Sequence, residues 1–144
     1  MATDIEKAPE ALQQLVAEAD TGARKPSGAA AHVIFTVSLG WALFQLWYAS
    51  PLPFTFGIGI LNDTEARALH LGLALFLAFA AWPAFKSSPR DRVPLIDWVL
   101  ALAGAVAGAY LLLFYNQLAT RPGQPTPIDI AVSATGLLLL LEAT

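Results

Sequence analysis

From Val33 to Ser50 the chain reads VIFTVSLGWALFQLWYAS, eighteen residues without a formal charge. A helix rises about 1.5 Å per residue, and roughly twenty apolar residues cross the hydrocarbon core of a bilayer. Inside hydrocarbon every backbone polar group has to find its partner within the protein, so this run is predicted to be a transmembrane helix. Trp47 and Tyr48 stand near its far end, where the membrane–water boundary favours amphipathic rings. Pro51 and Pro53 close it, because proline lacks the backbone donor and clashes with the preceding turn.

Three further apolar runs follow, at about 66–85, 95–116 and 128–141. With the first, at about 33–50, they predict an all-α integral membrane protein of four transmembrane helices, a membrane domain over 31–144 behind a polar segment over 1–30. The composition agrees. Hydrophobic residues make up 56% of the 144, and charged residues only 13%, against about 25% in ordinary soluble domains. Five of the eleven acids, Asp4, Glu6, Glu10, Glu18 and Asp20, lie in the first twenty residues. No basic face is available to neutralise phosphates, so nucleic acid is not an expected partner. The absence of cysteine removes disulfides, thiolate metal sites and cysteine nucleophiles. No secretory signal is evident, since the first apolar run follows a long acidic lead, and it is read as a permanent anchor.

Within that lead, Ala11, Leu12, Leu15 and Val16 fall at helical spacing, with Pro9 fit for a first turn. A short amphipathic helix over residues 8–20 is one expectation and a half-ordered tail the other. Its acidic polar face gives anionic lipid little to attract. GARKPSG then reads as a flexible connection carrying Arg24 and Lys25. The connection after the first span, PLPFTFGIGILNDTEA, is unusually apolar. Phe54, Phe56, Ile58 and Ile60 alternate with Thr55, Gly57 and Gly59. In a soluble protein that would suggest a strand; here an interfacial or partner-covered excursion is expected. Asn62 with Glu65 offers a capping box for the second span, and Thr126, Pro127 and Asp129 offer a capped start to the fourth.

Ionisable groups within spans are often functional, so each has two readings. Arg67 and His70 lie in the first turns of the second span, where they can reach the headgroups; His70 is either a proton relay or a satisfied interfacial histidine. Asp97 lies in the first turns of the third span beside Trp98. A buried catalytic carboxylate is the sharper reading; an acid favoured by the positive helix end is the plainer one. Gly104 and Gly108, four apart, let another backbone approach closely, with Ala101, Ala105 and Ala109 on a neighbouring small face.

Lys7, Arg24, Lys25, Lys86, Arg90 and Arg92 lie on the side of the N-terminus and the second connection, whereas Arg67 and Arg121 lie opposite. The positive-inside rule then predicts both termini in the cytoplasm.

Four stretches carry a resemblance to a known family: RALHLGLAL at 67–75, DRVPLIDWVLALAGA at 91–105, YNQL at 115–118 and RPGQPTPIDI at 121–130. Over about residues 30–144 the chain resembles the N-terminal region of the fused permeases of tripartite ATP-independent periplasmic (TRAP) transporters, of the class paired with TAXI-type binding proteins. The resemblance implies a multispan protein of the bacterial or archaeal inner membrane. A small four-helix, Q-like part would support a large M-like part that carries organic acids by an elevator motion driven by an ion gradient. A periplasmic binding protein would deliver the substrate. Many relatives are single chains several times longer, so the resemblance leaves a separate small subunit, a truncated chain or one piece of a split permease. LLLLLEAT at 137–144 resembles the place where such chains run on.

Substrate and ion paths need polar groups or interrupted helices near mid-membrane. The span interiors hold little beyond Thr36, Ser38, Gln45, Ser133 and Thr135, which favours a supporting role over a pumping one. The alternatives are an independent small membrane scaffold or carrier subunit outside the TRAP group, and a membrane redox enzyme. Haem would want paired histidines, but His32 and His70 are expected near opposite faces of the membrane. No cluster of nucleophile, base and orienting group is readable, so neither catalytic residues nor cofactor or metal ligands are expected.

Overall fold

The computed structural model describes residues 23–85, 88–89 and 91–143. The amphipathic stretch expected over 8–20, and Lys7, Lys86 and Arg90 of the charge count, lie outside them. The described residues form helices and connections, with no strand among them. In chain order these are α1 (Ala29–Ala49), α2 (Leu52–Phe56), α3 (Asp63–Ala81), α4 (Leu95–Leu113), α5 (Tyr115–Ala119) and α6 (Pro127–Glu142). Three of them, α1, α3 and α4, are long and apolar enough to cross a membrane. The sixteen residues of α6 rise about 24 Å, somewhat less than a full hydrocarbon core.

The helix ends follow from local chemistry. Helix α1 begins at Ala29, ahead of the expected Val33, because Ala29–Ala31 are strong helix formers. Both capping boxes form: Asn62 and Glu65 exchange bonds at 2.9 Å, and Thr126 and Asp129 exchange bonds at 2.6 and 3.4 Å at the start of α6. Helix α3 stops at Ala81, short of the expected Phe85, with Trp82 extended (φ −118, ψ 145) as proline requires of its predecessor. Helix α4 stops at Leu113, short of the expected Asn116. The chain bends at Phe114 (φ −116, ψ 16), and α5 then leads to the turn that brings Arg121 to Asp129.

The apolar connection departs from the alternating pattern. Pro51 and Pro53 start a helical turn, Gly57 ends it with φ 68, and the carbonyl of Pro53 accepts from both Gly57 and Ile58. This is a Schellman-type stop, which needs a residue tolerant of left-handed backbone.

The centre of the fold is the antiparallel hairpin of α3 and α4. Gly72 lies against Ala105 and Ala109, Gly108 against the backbone of Leu71 and Gly72, and Gly104 against Leu75 and Phe79. The GxxxG face is therefore occupied within the chain, by a glycine of α3. Leu75, Phe79, Ala80, Ala101 and Leu139 form the buried cluster, with Ile34 of α1 packed against it. Helix α6 leans on α4, with Gly136 next to Ala107. Helix α1 leans on α3 and buries none of its residues fully.

Candidate functional site

Two buried carboxylates lie near opposite ends of the hairpin. Asp97 belongs to the first turn of α4, and its side chain is completely enclosed. Its Oδ2 accepts from Nη2 of Arg24, which is equally enclosed. The Arg24 peptide N–H donates to the carbonyl of Ala81 at 2.7 Å, and its Nη1 approaches the Phe79 carbonyl at 3.5 Å. One arginine thus closes the last turn of α3, where helix carbonyls lack partners and the helix dipole favours a cation. The flexible connection expected around Arg24 is corrected here: the residue is buried and held by Asp97, Phe79 and Ala81. Helix-end placement alone does not account for Asp97 either, because its charge is matched by a side chain 73 residues away. Burial lowers the Arg24 pKa from the ordinary arginine value, and the pairing with a carboxylate keeps charge matched to charge. Among the described residues, Nε of Arg24 and Oδ1 of Asp97 have no hydrogen-bond partner.

At the other end, Asp129 in the first turn of α6 has both oxygens engaged. Arg121 donates to Oδ2 at 2.5 Å and to Oδ1 at 3.1 Å. The Tyr110 hydroxyl donates to Oδ1 at 2.6 Å, and the Thr126 N–H to Oδ2 at 2.6 Å. The two-pronged Arg–carboxylate geometry is the strong form of this contact. The bond to Asp129 raises the pKa of Arg121 above the usual arginine value. Tyr110 and Asp129 border an apolar groove of about 300 Å³ between α3, α4 and α6, lined also by Leu71, Leu111, Val132 and Leu137.

His70 is satisfied by another helix. Trp41 of α1 donates from Nε1 to His70 Nδ1 at 2.8 Å, and the Phe44 ring meets the imidazole edge-on at 5.2 Å. An accepting Nδ1 leaves the proton of a neutral imidazole on Nε2. His32 bonds to Gly28 at the start of α1, the end that Arg24 ties to Ala81, so it is well separated from His70. Arg67 pairs with Asp63 on the exposed surface.

The sequence pointed to Asp97, His70 and the Thr126–Asp129 cap but not to their partners Arg24, Trp41, Tyr110 and Arg121. The missing signal is tertiary: each partner lies on another element or in a connection, where spacing along one helix is silent. No group of three His, Asp or Glu residues able to hold a metal ion occurs among the described residues. Comparison with family models, with curated proteins and with solved structures finds no match to this chain.

Proposed function

We propose that the chain is the small, Q-like membrane component of a TRAP-type secondary transporter, a bracket that holds the large M-like permease part. The observation that carries this reading is a coincidence of motif and structure. Three of the four stretches that resemble the TRAP permeases supply residues that tie these helices together. RALHLGLAL supplies Gly72 and Leu75 to the hairpin, and DRVPLIDWVLALAGA supplies Asp97, Ala101 and Gly104. RPGQPTPIDI supplies Arg121 and Asp129. The buried carboxylates of those stretches, Asp97 and Asp129, are spent on internal pairs, as suits a rigid support better than a substrate path.

In this reading α6 is the fourth span, both termini are cytoplasmic, and the protein lies in the inner membrane of a bacterium or archaeon. A periplasmic TAXI-type binding protein delivers an organic acid to the large part, which moves it with an ion gradient. Co-purification with the cognate large permease tests the assignment. Stable association, and loss of uptake when the small component is removed, are expected. Failure to associate, with uptake intact in its absence, would sink the role.

A further inference from the structure

Between Lys25 and Asp63 there is no Asp, Glu, Lys or Arg, and the segment joining α1 to α3 is as apolar as the helices it joins. Its large side chains are uncovered: Phe54 is 75% exposed, Ile58 66% and Phe56 62%, with Leu52 and Ile60 also exposed. The segment folds back on the end of α1. The Phe56 ring stacks with Trp47 at 6.1 Å and 18°, and Gly59 lies so close to Trp47 Nε1 that a Cβ there would stand 3.3 Å away. The exposed Asp63–Arg67 pair and the Asn62–Glu65 capping box follow at once, placing charged groups next to the apolar turn.

Several polar groups of the helical turn are engaged within it. The Thr55 N–H donates to Pro51 O at 3.0 Å, and the Thr55 hydroxyl donates to the same oxygen. Ile58 donates to Pro53 at 3.2 Å, and Leu52 donates to the Ser50 hydroxyl at 3.2 Å. Thr55 is the one polar side chain from Pro51 to Leu61. Protein interfaces surround an apolar centre with a polar rim and direct hydrogen bonds. This surface offers almost no directional group to such a partner. The boundary of a lipid bilayer suits what is found: apolar side chains outward, with hydrated headgroups beside them to meet the backbone groups that the turn leaves open.

We infer that Leu52–Ile60 lies in the bilayer itself, at the boundary of headgroups and acyl chains, as an interfacial float continuous with the lipid-facing side of α1. This placement rests on the membrane reading of the long helices and not on the TRAP assignment. The chain has no cysteine, so single-cysteine variants report cleanly. Phe54→Cys and Ile58→Cys, labelled with an environment-sensitive fluorophore in vesicles holding this chain alone, are compared with Leu43→Cys in α1 and Gln124→Cys in a polar connection. The expected result is blue-shifted emission at 54 and 58, quenched by nitroxides attached near the lipid headgroup and insensitive to iodide. Leu43 is expected to respond to deep nitroxides, and Gln124 to iodide. Iodide quenching at 54 and 58, or shielding from both quenchers as by contact with protein, overturns the placement. If Leu43 is also open to iodide, the membrane reading falls with it; if Leu43 answers to lipid alone, only the float is lost.

Discussion

Arg24 and Asp97 bear on each other more than on any solvent. Removing one member of a buried ion pair strands the other charge in a poor solvent, at a cost of about 3–5 kcal/mol, whereas an apolar pair of similar size is often tolerated. Arg24→Met is therefore expected to lower the unfolding temperature in detergent sharply, and adding Asp97→Leu to recover most of the loss. Equal losses in single and double variants would show that the pairing is not what stabilises this corner. Trp41→Phe removes one neutral hydrogen bond between α1 and α3 and should cost about 0.5–1.5 kcal/mol in the same assay. Asp97 and His70 were both legible as unusual residues in apolar runs. Their partners were not, because a contact across 73 residues leaves no periodic trace.

At the scale of elements, the hairpin depends on the absence of side chains. A methyl on Gly108 would stand 2.6–2.9 Å from the backbone of Gly72 and Leu71, atoms that cannot rotate away. Gly108→Ala is expected to destabilise the α3–α4 contact by about 1–3 kcal/mol, read by unfolding in mixed micelles. Gly40 of α1 has open space around it, so Gly40→Ala should be neutral or slightly stabilising through helix propensity. The contrast between two helical glycines separates packing from propensity. The sequence made the small face at Gly104 and Gly108 visible but did not identify Gly72 as its counterpart, since pairing between helices is set by how hairpins close. The helical turn in the apolar connection was not legible, for a local reason. Alternation speaks only of a strand, which was set aside for want of paired edges, and it is the prolines at the start and a left-handed glycine at the end that wrap these residues into a turn.

For the whole molecule, membrane character was the most legible property, because hydrocarbon imposes length and charge limits that composition alone can meet. Its orientation is tested by an impermeant thiol reagent on Ser27→Cys and Gln124→Cys in sealed vesicles. Modification from opposite compartments is expected; modification of both from one side would remove the arrangement in which α3 and α4 return the chain across the bilayer. The ion pair at Arg24 also sets an order of events. Arg24 leaves the ribosome well before Asp97, and chains emerge at only about 5–20 residues per second. For those seconds the guanidinium is without the carboxylate that encloses it in the fold, while two apolar helices are laid down behind it. The clasp waits for the start of α4, so a nascent chain stopped before it would carry a loosely moored first helix.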